Sequence, residues 1–542
     1  MVAGSFRGTD AADVVDIVGA LTDGAMLPGG QVCHRLMIEK TAVRAAGREP
    51  AGHSLRRGSV AFLGTVGSAV GIQAPSAGVS FLPALMAGIV GVAGPFAFGS
   101  AMIVMLFVAY AFVVFAREFA SAGSVYAFNG TALGPGYGLV SAWLLLFTYL
   151  AFAASVFASN ANGLVTLVAP GLLGTHLWLV FAAALWLVTI VLTRYSIRVS
   201  TAVIVIVEAV ALLLVAVVAV VVIARGGYHG TALGRLSMRP FSLDAVPVGM
   251  VGLGIVFAFT GFSGFEVAAT LGEESRVPRR IIPASMVTAL VVSGLIYTGM
   301  SYVETIAYPS AQALAAAADH GVPLASIADM FLTPGFGTVI TVAAVTSGFG
   351  AQLATVNGAT RLLFAIGRSG LGPRVLGRVH PRHRTPTVAL AVTAVVSLVA
   401  VGALWFRSPL DAFADLATYG ADLIIVAYLA TLIAALVWTV RHRGARGRRV
   451  VLGRAALLTV GLAAIVYVIK ATIWPLPAGT APRLYLLAAG MTIAAGIAVA
   501  AGFRLVAPTR LRSADLFGVR VPAEAERSPG QSPEQTPAEV AR

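Results

Sequence analysis

Charge is scarce in this sequence. Only 11% of its 542 residues are Asp, Glu, Lys or Arg, while 58% are hydrophobic. Soluble domains carry roughly 25% charged residues, which excludes a water-soluble globular fold. Cysteine is almost missing. Cys33 stands alone, which rules out an intramolecular disulfide and a cysteine-rich metal site. Its neighbour His34 does not change that, because no further ligand is near in sequence. Lysine is confined to Lys40 and Lys470. The histidines, His34, His53, His176, His229, His320, His380, His383 and His442, fall in tails, connections or helix ends. None is paired on a helix and no HExxH occurs, which argues against a metalloenzyme or a haem protein. No cofactor and no metal are expected, and the chain does not read as an enzyme. The formal net charge of +14 comes from short arginine clusters between apolar runs. Such clusters orient a protein in a membrane and do not build a nucleic-acid face.

What is abundant is one apolar run after another. A bilayer core takes about 20 helical residues. Twelve spans are expected, at 60–83, 90–116, 137–168, 176–195, 199–224, 247–272, 282–306, 335–366, 386–406, 411–440, 452–474 and 482–506. The third and the eighth are long enough to tilt or to project beyond the bilayer. Residues 1–57 are polar and mixed. The apolar turn Val14–Leu21 near their start contains Asp16 and is flanked by Asp13 and Asp23, too short and too acidic for a secretory signal. The stretch reads as a cytoplasmic tail. Residues 509–542 are rich in Pro, Ser, Glu and Gln, cannot bury a core, and are expected to be a disordered cytoplasmic tail.

Arginine and lysine set the orientation. The first tail, the connections after the second, fourth, sixth, eighth and tenth spans, and the last tail hold 31 of the 37. The opposite side holds Arg225, Arg235, Arg239, Arg407, Lys470 and Arg483. An error of one span would scramble this alternation. It supports an even number of spans, with both termini on the cytoplasmic side of the cell membrane.

Two spans are interrupted. The sixth reads FAFTGFSGFE, with Gly261 and Gly264 among Phe259, Phe262 and Phe265, and leads into charged residues framed by Pro278 and Pro283. The first reads GTVGSAVGIQAPSAGVSF, with Gly64, Gly67, Gly71, Pro75 and Gly78. Unpaired backbone groups in a bilayer cost several kcal/mol, so a span unwinds only beside a protein-lined cavity. Small residues also simply let helices pack closely. Two breaks at matching positions, five spans apart, favour the cavity and imply inverted repeats, because an odd repeat length turns the second copy over.

Three stretches are similar to a known superfamily. They are GFSGFEVAATLGEESRVPRRIIPAS, NGATRLLFAIGRSGLGPRVLGRVHPRHRTPTVAL and REFASAGSVYAFNGTALGPGYGLVSAW. Together with the first span they resemble the amino acid–polyamine–organocation (APC) superfamily of secondary transporters, over about residues 55–440. The resemblance implies an all-α integral membrane protein of 12 transmembrane helices with a LeuT-type fold. Its first five-helix repeat is expected at 58–225, the inverted second at 226–440 and two added helices at 441–508. It implies movement of amino acids or related amines across the cytoplasmic membrane by alternating access. Where many members have a Gly-Ser-Gly-like triplet, this chain has Ala74-Pro75-Ser76-Ala77-Gly78. That departure leaves ethanolamine-like amines, polyamines and nucleobases open as substrates, and a sensor that binds without transporting as an alternative function.

The resemblance directs the chemistry. An amino acid is a zwitterion, and each charge needs a partner out of water. Unwinding at Gln73, Ala74, Pro75, Ser76, Ala77 and Gly78 is expected to offer N–H groups and a positive half-helix end to a carboxylate. Unwinding at Phe259, Thr260, Gly261, Phe262, Ser263 and Gly264 is expected to offer carbonyls to an ammonium, with the phenylalanines as an apolar wall or a stacking surface. Glu208 in the fifth span and Glu266 after the sixth-span break are candidates for a coupling proton, because acids in a span usually face protein or water. Glu266 also fits a structural role, accepting loose N–H groups of the first-span break. Helix 8 hydroxyls bind sodium in some relatives of this fold, and Thr346 and Ser347 are present here. The proton is the preferred driver. Arg117, Glu273 and Arg280 on the cytoplasmic side and Asp415 on the outer side are gate candidates. The expected partners are a small amino acid or amine, H+ and the lipid bilayer.

Overall fold

A computed structural model describes residues 62–118, 124–172, 174–195, 201–228, 236–242, 248–271, 277–380, 385–442, 447–474 and 480–513. Among these the chain is helical and contains no strand. Every backbone group in hydrocarbon needs a partner within its own segment or its neighbours, and a helix meets that need locally. Among the described residues, eight helices are long and apolar enough to cross a membrane, and three shorter apolar helices lie at 178–194, 250–262 and 387–403.

The first expected span is built from α1 (Phe62–Gln73), α2 (Pro75–Val79) and α3 (Leu82–Val90). It extends beyond the boundary at 83 drawn from the sequence. The second is α4 (Gly94–Glu118), followed by a short connecting helix α5 (Ser124–Leu133). Next come α6 (Pro135–Val168), α7 (Trp178–Tyr195) and α8 (Thr201–Ala224). The sixth expected span is α9 (Val248–Phe262) plus a 3-10 turn over Phe265–Leu271. α10 (Pro278–Ala307) leads into two short helices, α11 (Ala311–Ala317) and α12 (Pro323–Phe331). α13 (Phe336–Arg368), α14 (Thr387–Ala403), α15 (Pro409–Arg441), α16 (Arg448–Ile473) and α17 (Thr480–Val506) complete the spans, and α18 (Pro508–Ser513) follows. Proline opens several of them, including α6, α10, α12 and α15. Its missing N–H is harmless at that position.

α6 is the central post, packed against α13, α15 and α7. Small residues bring these helices close. Gly348 of α13 abuts Asn160 of α6, and Gly420 of α15 abuts Phe152. Buried polar side chains fix the contact. Asn160 Nδ2 donates to Gln352 Oε1 at 2.9 Å, and Gln352 Nε2 reaches the Thr189 hydroxyl on α7. The indole of Trp186 on α7 donates to the Ala394 carbonyl of α14 at 2.8 Å. A second group forms where α10 lies along α4 and α1. α16 and α17 are among the least covered helices, as their apolar outer faces require in lipid.

Candidate functional site

α1 stops at Gln73 because Ala74 takes a left-handed backbone, φ 43° and ψ 57°. That conformation costs a residue with a Cβ about 1–2 kcal/mol. The chain restarts at once as α2 on Pro75. The break is one residue wide, and the unwound run expected over Gln73–Gly78 is mostly a short helix. A second interruption at Ser80–Phe81 precedes α3. α9 stays helical through Phe262, beyond the unwinding expected from Thr260. The turn falls at Ser263–Gly264, and Gly264 has φ 107°. A Cβ there would stand 2.9 Å from Cγ2 of Ile72, so both backbone and space require glycine.

The two breaks meet. Gln73 Nε2 donates to the Phe262 carbonyl at 2.8 Å, and Ser293 Oγ donates to Gln73 Oε1 at 2.7 Å. The Tyr297 hydroxyl donates to the Gln73 carbonyl at 3.4 Å. The Tyr297 ring is clasped between glycines of both breaks. A Cβ on Gly261 would stand 2.9 Å from its Cζ, and one on Gly78 would stand 2.8 Å from its Cε1.

Between the breaks lies a cavity of about 90 Å³, room for about three waters at the ~30 Å³ each takes in the liquid. The first break contributes Gln73, Ala74, Ala77 and Gly78, and the second contributes Thr260, Gly261, Ser263 and Gly264. Phe81, Tyr149, Phe152, Tyr297 and Phe413 are its aromatic walls. Ser155 and Ser159 of α6 and Thr355 of α13 add hydroxyls. Among the lining residues none is acidic or basic.

Four residues expected in the site do not line the cavity. Pro75 is buried in the first turn of α2, and Ser76 is turned toward α8. Phe259 and Phe262 are fully buried behind the wall, as is Phe265. Helical periodicity explains this. At 3.6 residues per turn, Phe259 and Phe262, three residues apart in α9, share the face turned away from Thr260 and Gly261. Phe262 meets Tyr297 edge-on at 5.7 Å, and Phe265 meets Phe112 at 5.2 Å.

The first-break N–H that Glu266 was expected to accept is taken by Glu208 instead. Glu208 is 4% exposed and takes the loose donor of the first break: Ser76 N–H donates to its Oε1 at 3.0 Å. Its Oε2 accepts from the Ser347 hydroxyl of α13. Glu266 serves its own break instead. Gly264 N–H donates to Oε2 at 3.0 Å, the Tyr428 hydroxyl to the same oxygen at 2.9 Å, and the Tyr149 hydroxyl to Oε1 at 3.4 Å. Thr346 is exposed and bonds back to its own helix at Val342 and Ala343.

Of the gate candidates, Glu273 lies outside the described residues. Arg117 and Arg280 are exposed and make no ion pair among the described residues. At that end it is Glu118 that approaches Arg454, at 3.9 Å. Asp415 is tied twice: Arg407 Nε and the Tyr485 hydroxyl donate to its Oδ2 at 2.8 Å and 2.7 Å.

The sequence reading passed over the α6 wall. Tyr149, Phe152, Ser155, Val156 and Ser159 recur at three- and four-residue steps, one face of a helix, and that stripe was visible. Tyr297 and Phe413 had no comparable signal: Tyr297 is one of two tyrosines on α10, and Phe413 stands between Asp411 and Asp415.

A family model described as amino acid permease matches residues 59–497. The low-affinity putrescine importer PlaP of Escherichia coli (strain K12) is 26% identical over 314 residues, 57% of this chain and 66% of that protein. The match therefore spans just under two thirds of the importer's length. The branched-chain amino acid permease BcaP of Bacillus subtilis (strain 168) is 26% identical over 343 residues, 60% of this chain and 71% of that protein. Cationic amino acid transporter 4 of Mus musculus is 27% identical over 175 residues, 30% of this chain and 26% of that protein. With the family match running through nearly all the spans, this chain belongs to the amino acid permease family.

Proposed function

We propose that the protein moves a small amino acid across the cytoplasmic membrane by alternating access, coupled to protons, with the cavity between the two breaks as its substrate site. The observation that carries this reading is that both interrupted helices open onto one uncharged, partly polar cavity. Neutral cavities hold a zwitterion through backbone dipoles. On one side the Ala77 N–H belongs to the first turn of α2, where donors lack intrahelical partners. On the other side the last carbonyls of α9 lack intrahelical donors. The Phe262 carbonyl is taken by Gln73, and the Phe259 carbonyl by Ser263 Oγ at 2.7 Å. The Thr260 and Gly261 carbonyls sit at residues that line the cavity and suit an ammonium.

Among the relatives, one is named for a diamine and another for branched-chain amino acids. A diamine brings two cations, and this cavity has no carboxylate for the second. Its aromatic walls and its size favour a neutral amino acid with a short apolar side chain. Glu208 supports proton coupling, because it joins Ser76 and Ser347, whose neighbours Ala77 and Gly348 are part of the cavity wall. A change of charge on Glu208 is thereby felt at the site. Both termini on the cytoplasmic side and an inverted five-plus-five repeat complete the reading, supported by the arginine distribution and the paired breaks.

The test is uptake into proteoliposomes with an inward proton gradient, using a panel of neutral amino acids, cationic amino acids and diamines. Gradient-driven accumulation of a neutral amino acid is expected. Binding without flux would make the protein a sensor, and preference for a diamine would overturn the substrate assignment.

A further inference from the structure

Glu304 lies near the end of α10, one turn before the cap formed by α11 and α12. Its side chain is completely buried, and among the described residues neither carboxyl oxygen has a hydrogen-bond partner. The Ser301 hydroxyl, one turn away on the same helix face, is also buried and unpartnered. It faces the start of α4, where a Cβ on Gly94 would stand 2.8 Å from its oxygen. Two orphaned polar groups on one face form a seat that supplies no compensation for charge.

The charged and titratable groups around α10 offer Glu304 none either. Glu208 on α8 is engaged by Ser76 and Ser347, and Glu266 by Gly264, Tyr428 and Tyr149. Asp329 on α12 accepts from Gly337 N–H at 2.7 Å. Asp319 and His320 in the cap are exposed, as are Arg117 at the far end of α4 and Arg225, Tyr228 and Arg239 on the segments packed at this end of α10. Tyr297 on α10 itself turns its hydroxyl to Gln73. Tyr308 is close enough to feel Glu304, and its hydroxyl donates to the Pro323 carbonyl at 3.4 Å. An ionised carboxylate without a counter-charge or a donor costs several kcal/mol in such surroundings, whereas a neutral acid costs far less.

We infer that Glu304 is a proton-binding site, filled in this packed arrangement and separate from Glu208. The two acids contrast. Glu208 has a donor on each oxygen and is fitted to carry charge; Glu304 has none and is fitted to carry a proton. Releasing that proton leaves a bare carboxylate between α10 and α4 and works against the closed packing of this end. The inference stands on the seat alone and does not depend on transport.

The test is infrared spectroscopy of the purified full-length protein in lipid nanodiscs, comparing wild type with Glu304→Gln. The expected difference spectrum loses the carbonyl stretch of one neutral carboxylic acid per chain. Loss of an ionised carboxylate band instead, or no change in the acid region, would overturn the assignment. Thermal stability from mildly acidic to alkaline pH gives a second readout: wild type is expected to lose stability toward alkali and Glu304→Gln to lose less. If Glu304→Gln cannot be recovered, Glu304→Asp retains the acid and is expected to shift the same band. A spectrum in which Glu304→Asp leaves that band in place would equally reject the site. Glu208→Gln is the control and is expected to leave the band intact.

Discussion

Glu208 joins two helices through one carboxylate, accepting from the backbone of α2 and from a hydroxyl of α13. Hydrogen bonds to a charged acceptor contribute about 1.5–3 kcal/mol each, so the acid is a structural clasp as well as a coupling candidate. A proton bound there weakens the hold on Ser76 and Ser347 together. For one proton moved per solute, each unit of pH gradient supports about tenfold accumulation, since one unit corresponds to about 1.36 kcal/mol. Glu208→Gln is expected to abolish this gradient-driven accumulation while exchange of labelled for unlabelled substrate persists. Undiminished acid-driven accumulation in Glu208→Gln would remove the residue from the mechanism. Both buried acids were visible in the sequence, but their duties were not. Ser76 and Glu208 are 132 positions apart, and only tertiary packing decides which loose N–H meets which carboxylate.

The two breaks differ in how they are made, and that decides how each was read. In α9 the glycines announced the interruption, and the positive φ falls on one of them, Gly264. In the first span the residues that drew attention were Gly67, Gly71, Pro75 and Gly78, yet the left-handed residue is Ala74. Propensity does not mark an alanine for that role; the Gln73 bridge and Pro75 hold it there. The glycines serve packing instead: Gly67 against Val205 of α8, and Gly78 against Tyr297. Overpacking such a contact costs typically 1–3 kcal/mol. Gly261→Ala is therefore expected to push Tyr297 from its clasp, lowering thermal stability by about that amount and weakening substrate binding. Binding measured by thermal shift should fall further in Gly264→Leu, whose side chain meets Ile72 and enters the cavity. Wild-type binding by Gly264→Leu would mean that the solute sits elsewhere. The connecting helices α5, α11 and α12 were not anticipated, because helices of 7–10 residues lack the long apolar signal that reveals a span.

The assembled helices surround the cavity from several sides. α6 and α13 contribute one wall and are tied to α7 by the Asn160–Gln352–Thr189 chain, while α1, α2 and α9 contribute the other. Beyond the cavity, Arg407, Asp415 and Tyr485 join the start of α15 to α17. A site between two differently braced groups is what alternating access requires, since one group can rock against the other while the solute stays at their boundary. The long apolar helices were legible as apolar length, because the bilayer imposes it. The wall from α6 and α13 was not, because it depends on which helices become neighbours. The lone cysteine makes the motion testable. In a Cys33→Ser background, Ser155→Cys places a thiol on the α6 wall, buried in this conformation, so its modification reports opening. A membrane-impermeant thiol reagent is expected to label it slowly from one side and hardly at all with saturating substrate. Reversing the proton gradient should change the side from which labelling is faster. Labelling that is equal from both sides and indifferent to substrate would show an open passage between the groups, and alternating access through this cavity would then be rejected.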